Sequence, residues 1–173
     1  MNKRTAAASS LTLVVLFGGG FVAWDVAHPP KTITIESSYA FDVTNPEYLA
    51  GNADIIAVVT VLDNGAPFVR PEGVWTDYAV KIDQTLKGEI PATATVRQAG
   101  GVDGEETFVI EDQPLLRQGK AYVLVLSREP DRPELTLSAA PLSARPLPPE
   151  QARRDAVLTA WRTAILRQKV PPI

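Results

Sequence analysis

Few side chains in this 173-residue chain can do chemistry on their own. There is one histidine, His28, and no cysteine. That excludes thiol nucleophiles, disulfide frameworks, Cys-based zinc or iron–sulfur sites and clusters of imidazole ligands. His28 stands beside Pro29 and Pro30 with no orienting partner nearby in sequence, so it reads as an ordinary spacer residue, not a general base or pH sensor. The best cation candidate is the acidic group Asp103, Glu105, Glu106, Glu111 and Asp112, where Gly100, Gly101 and Gly104 would let a loop wrap calcium. Its spacing matches no calcium loop, and a strand expected over 106–110 separates its halves, so these read as solvated turn charges. The glycines at 18–20 and 100–101 lack the strand–loop–helix setting of a phosphate loop. No carboxylate pair stands out as a glycosidase couple. The expectation is a non-enzymatic protein with no cofactor and no metal.

Trp75 is the residue with most to offer. In the stretch 74–83 (VWTDYAVKID), Val74, Tyr78, Val80 and Ile82 mark one face, with Thr76 between them. Trp75 shares the other face with Asp77, Ala79, Lys81 and Asp83. An aromatic on a polar face is a hot spot for a protein partner or a sugar ring, and Phe68 and Arg70 in the preceding segment lie close enough in sequence to join it. The competing reading is that a neighbouring loop covers the indole. Trp75, Phe68 and Arg70 are therefore the candidate binding residues.

The elements that must position them are mostly short strands. Alternation or apolar runs bounded by turn residues predict strands over 31–36, 55–62, 74–83, 93–98, 106–110, 121–127 and 134–139. Asn45-Pro46-Glu47 opens a brief helix through Asn52, with Asn45 as cap and Pro46 in the first turn. Residues 150–169 contain no Gly or Pro, and Val157, Leu158, Trp161, Ala164 and Ile165 fall on one helical stripe. Strands 55–62 and 121–127 are apolar on both faces, whereas a closed barrel covers only its inside. The C-terminal helix is thus expected to lie across the outside of those two strands, with Trp161 near the centre of the contact.

The amino terminus places the chain. Lys3-Arg4 precede twenty uncharged residues, Thr5 to Trp24, a length that as a helix spans about 30 Å, one bilayer. The positive flank keeps the tip cytoplasmic and sends the rest outside. The alternative is a cleaved secretory signal, although the small-residue cleavage pattern is poor. Charge divides unevenly beyond that point. Residues 31–144 hold 9 basic and 17 acidic side chains, while 145–173 hold 6 basic and 2 acidic. An acidic domain argues against nucleic acid as a partner. The basic tail reads as the solvated face of the helix, or as a surface for an anionic envelope or for the acidic domain itself.

A resemblance emerges between Asn52 and Arg128. Ala53-Asp54 leads into an apolar strand, Tyr78-Ala79-Val80-Lys81-Ile82 leads to Leu86-Lys87-Gly88, and Gly100-Gly101 is followed by Gly119-Lys120-Ala121-Tyr122-Val123-Leu124-Val125-Leu126. This order resembles a group of uncharacterised exported bacterial proteins, which is similar in turn to the netrin/TIMP-like version of the OB-fold. The resemblance implies a mainly β protein: a small OB-like Greek-key β-barrel with a packed C-terminal α-helix, here preceded by one N-terminal transmembrane helix. Netrin/TIMP-like domains are usually disulfide-bonded and often begin with a Cys that reaches a protease metal. This chain has no Cys, so that mechanism and its residues do not carry over. The expected organisation is a signal anchor over 1–27, a spacer and lead-in segment over 28–52, the barrel over 53–144, and a Pro-rich linker with the amphipathic helix over 145–173. Expected function is a membrane-anchored, extracytoplasmic protein-interaction module or accessory subunit, its partners the bilayer through 5–24 and an envelope or membrane protein. The alternative is a secreted or anchored binder of cell-wall polymer or carbohydrate.

Overall fold

The computed structural model describes residues 31–170. The membrane segment expected over 5–24, and His28, lie outside the described residues; among the described residues no helix is long and apolar enough to cross a membrane.

Five strands close into a β-barrel. They are β2 (Ile55–Val61), β4 (Gly73–Lys87), β5 (Thr93–Ala99), β8 (Ala121–Arg128) and β9 (Leu135–Leu137). Around the barrel they run β2–β4–β5–β9–β8 and back to β2, every pair antiparallel except β5–β9, which is parallel. Numbered within the barrel, the strands neighbour one another as first, second, third, fifth and fourth. Two short strands extend the sheet: β3 (Ala66–Arg70) pairs with the start of β4, and β10 (Ala144–Pro146) pairs with β8. A separate three-stranded sheet joins β1 (Lys31–Ile35), β7 (Glu106–Ile110) and β6 (Gly101–Asp103), with β1 parallel to β7. Helix α1 (Pro46–Asn52) is capped by Asn45, whose side chain accepts from the Glu47 amide, and α2 (Gln151–Leu166) closes the chain.

The two-faced strands divide the apolar residues into two cores. Ile55, Ala57, Val59 and Val61 of β2 and Tyr122, Leu124 and Leu126 of β8 point into the barrel against Tyr78, Val80 and Val96. Their alternate residues Ile56, Val58, Val123 and Val125 point outward and are buried under α1 and α2 against Leu49, Leu158 and Trp161. Trp161 is 5% exposed. The helix therefore lies where the composition of these strands requires it. Its C-terminal end is tied to α1: the Lys169 amide donates to the Glu47 carbonyl, and Lys169 Nζ meets Glu47 at 2.5 Å. Gly51 permits this approach, because a Cβ there would stand 1.9 Å from the Lys169 carbonyl oxygen.

Three segments differ from the sequence reading. Residues 66–70 fall in no expected strand and form β3. Gly101 lies outside the expected strands and opens β6, and 144–146, where the barrel is expected to give way to the Pro-rich linker, forms β10 despite Arg145 and Pro146. The reason at Gly100 and Gly101 is backbone geometry. Both have positive φ (+102° and +150°), and a Cβ would strike the Phe108 carbonyl or Thr76 Oγ1. The pair lets the chain leave β5 and turn directly into the second sheet. Proline at 146 is tolerated because β10 is an edge strand, paired on one side only.

Two outcomes follow for stability. Trp161→Ala is expected to cost about 3–5 kcal/mol in chemical denaturation; a variant as stable as the parent would place the outer core elsewhere. Tyr78, inside the barrel, has its phenol pushed up to about 12 by burial. Stability held by its neutral form should persist below the ordinary 10.0 and be lost as pH rises toward 12. Phenolate absorbance compared with Tyr78→Phe reads this directly.

Candidate binding face

Strand β4 is fifteen residues long and serves two partners in turn. Its second half pairs with β2, while its first half pairs with β3, so β3 continues the sheet beyond the end of β2. Asp63 fixes the start of this hairpin by accepting from the Gly65 and Ala79 amides. The register sets Phe68 opposite Trp75 and Ala66 opposite Asp77; on the other side of β4, Ala99 stands opposite Trp75 and Arg97 opposite Asp77. Directly opposed residues share a face. Phe68, Trp75, Asp77 and Arg97 therefore stand together on the outer face of the barrel.

At the centre of this face is a charge cluster. Arg97 donates from Nε and Nη2 to the two carboxylate oxygens of Asp77, both at 2.8 Å, and from Nη2 to Glu134 at 2.6 Å. Arg97 is only 4% exposed, whereas the carboxylate side chains of Asp77 and Glu134 are 24% and 23% exposed. Hydrogen bonding to Asp77 holds the guanidinium even more firmly protonated than usual, against the opposing effect of burial. The Glu134 carboxyl is held below its ordinary 4.5, first by its own backbone amide and then, against burial, by Arg97.

Phe68 is the aromatic element of the cluster. The Arg97 guanidinium lies 4.8 Å from its ring centroid and that of Arg70 lies 5.2 Å away, both within cation–π range. Two donors in the face, Trp75 Nε1 and Arg97 Nη1, are buried without a hydrogen-bond partner. Each such group ordinarily costs about 1–3 kcal/mol. The hairpin thus holds its aromatic residues on a fixed platform.

The three candidate residues Trp75, Phe68 and Arg70 are brought together, but Trp75 is half-buried and its ring nitrogen is wholly covered. Sequence reasoning missed the centre of the face, Arg97 with Glu134. The signal was present in the turn: Asp77 lies ten residues before Lys87 and Arg97 ten after, and that hairpin register pairs them. Nothing comparable announces Glu134, which arrives with the parallel strand β9.

The acidic group does not converge. Asp103 faces Glu106 across β6 and β7, Glu106 pairs with Lys31 at 3.6 Å, and Glu111 and Asp112 follow the far end of β7. Among the described residues no three His, Cys, Asp or Glu side chains are placed to hold a metal ion. No protein-family model matches the chain, and no curated protein sequence matches it.

The asymmetry of exposure makes a testable ordering. Asp77→Ala leaves a buried guanidinium short of its main partner and should cost about 3–5 kcal/mol. Arg97→Met should cost less, because both carboxylates already reach water. The opposite order in urea denaturation would mean that the cluster is not organised around the buried cation. On acidification, the stability contributed by Glu134 is present above 4.5 and should fall away as pH drops through its lower folded-state value. Glu134→Gln should flatten that part of the profile.

Proposed function

We propose that this chain is a non-enzymatic, membrane-anchored protein of the cell envelope, whose extracytoplasmic domain is an OB-like Greek-key barrel that binds a protein partner through the face carrying Phe68, Arg70 and Trp75. Support for the OB-like reading comes from the barrel order, first–second–third–fifth–fourth, with its one parallel pair between third and fifth strands. OB barrels take their ligands on the outer face of the second and third strands and on the loop between the first and second. Here those positions are β4, β5 and the β3 hairpin.

The observation that carries the proposal is the preorganised Phe68–Arg70–Arg97 platform. Aromatic and arginine side chains dominate interface hot spots, and side chains already held in place lose little entropy on binding. Arg97 is fixed by two carboxylates and itself fixes Phe68. The extracytoplasmic placement rests on the uncharged stretch 5–24 behind Lys3-Arg4. The polymer-binding alternative relies on an open indole for sugar stacking, and the half-buried Trp75 favours the protein reading over it.

Co-purification from detergent-solubilised membranes tests this. The parent is expected to retain a stoichiometric protein that the Phe68→Ala/Arg70→Glu double variant loses at least tenfold, while Arg162→Glu on the exposed side of α2 retains it. Loss of nothing in the double variant would contradict the proposal. Retention of the domain on isolated cell-wall polymer, abolished by Trp75→Ala, would replace it with the polymer reading.

A further inference from the structure

A second concave surface lies away from this face, between the loop that precedes β8, the Pro-rich segment that follows β10, and the start of α2. It is a groove of about 710 Å³. Four cations rim it: Arg117, Lys120, Arg145 and Arg153. All four are exposed, and none forms an ion pair among the described residues. No acidic side chain lines the groove, although residues 31–144 carry 17 acidic side chains against 9 basic ones. Its floor is apolar, formed by Leu115, Tyr122, Leu147 and Val157 with several prolines.

Beside the groove is a smaller compartment of different character. Arg145 and Val157 also border a cleft of about 190 Å³, lined otherwise by Pro46, Leu142, Ala160 and Trp161. A cationic groove and an almost wholly apolar cleft therefore adjoin at Arg145 and Val157.

The walls are held in place from beneath. Gln98, fully buried in β5, donates to the Pro114 carbonyl and accepts from the Leu116 amide. Gln113, also buried, donates to the Ser138 carbonyl and Ser143 hydroxyl. On the opposite wall, Leu147 donates its amide to the Ala121 carbonyl. These bonds fix the loop at 113–116 and the segment at 143–147, so the groove exists before any ligand arrives.

We propose that this groove and cleft form a binding site for an anionic amphiphile, a molecule with a phosphate or carboxylate head and a single apolar chain. The head lies among Arg117, Lys120, Arg145 and Arg153, and the chain passes beneath Arg145 toward Trp161. Charge complementarity selects the head, since four unpaired cations face it without one competing carboxylate. The adjoining apolar cleft selects the chain. A bare phosphate would leave the cleft unused, and a neutral detergent would leave the cations unused. This site is independent of the Phe68 face, and its ligand is a small molecule whether or not that face binds a protein.

Calorimetric titration of the full chain with alkyl phosphates, each below its aggregation concentration, tests the assignment. Inorganic phosphate is expected to bind weakly. Affinity should then rise about fourfold per added methylene from butyl to octyl phosphate until the cleft is filled, with a change in Trp161 emission. Octyl glucoside should bind at least tenfold more weakly than octyl phosphate. Arg145→Glu and Lys120→Glu should each weaken octyl phosphate at least tenfold. Ala160→Phe, which fills the cleft from an exposed helix position, should remove the chain-length dependence and leave phosphate binding unchanged. Arg162→Glu should change neither. Equal affinity for octyl phosphate and octyl glucoside, or unchanged affinity in Arg145→Glu, would overturn the proposal. So would association only with vesicles containing phosphatidylglycerol and not with monomeric octyl phosphate, which would make the surface a bilayer contact and not a ligand site.

Discussion

The constraint on which this fold depends is that β2 and β8, neighbours in the barrel wall, are apolar on both faces. A barrel wall ordinarily has one buried side and one wet side. Here Ile56, Val58, Val123 and Val125 project outward from strands whose inward residues already fill the barrel. Left uncovered they would form a contiguous apolar patch of the kind that soluble surfaces avoid. Helices α1 and α2 bury it, and their own apolar stripes are buried in return. Neither layer is complete without the other.

Much of the remaining architecture follows from that cover. The helix must return across the outside of β2 and β8, and the chain leaving β8 reaches it through β9, which closes the barrel, then β10 and the proline segment. The same path builds the basic groove, because the proline segment and the start of α2 form its walls. It also leaves the other side of the barrel free. The helices reach the second half of β4, at Leu86 and Lys87, whereas its first half pairs with β3, and polar and aromatic side chains gather there.

The outer core was legible in the sequence because unbroken apolar runs such as IIAVVTVL and AYVLVLS need cover on both sides, and a helix with one apolar stripe supplies it. Asn45, Pro46 and the capping of α1 were legible because a cap is encoded within a few residues. What escaped was set by long-range pairing. β3 contains Pro67 and β10 contains Pro146, so neither reads as a strand, yet each is an edge strand that needs pairing on one side only. The parallel partnerships β1–β7 and β5–β9 join segments far apart in the chain, and no local pattern encodes them. The candidate face was half legible for the same reason. Trp75 and its neighbours followed from alternation, whereas Arg97 entered through hairpin register and Glu134 through a parallel contact. A buried arginine between two partly exposed carboxylates has no signature in composition.

The central claim is that the barrel and α2 are one cooperative unit joined through the outward face of β2 and β8. Native-state hydrogen exchange in low denaturant measures this most directly, because it reports the opening free energy of each element separately. The account predicts that the slowest amides of α2, around Leu158 and Trp161, merge with those of β2 and β8 onto a single opening isotherm. If the α2 amides exchanged through an opening several kcal/mol easier, with β2 and β8 still protected, the helix would be an appendage and the claim would be wrong.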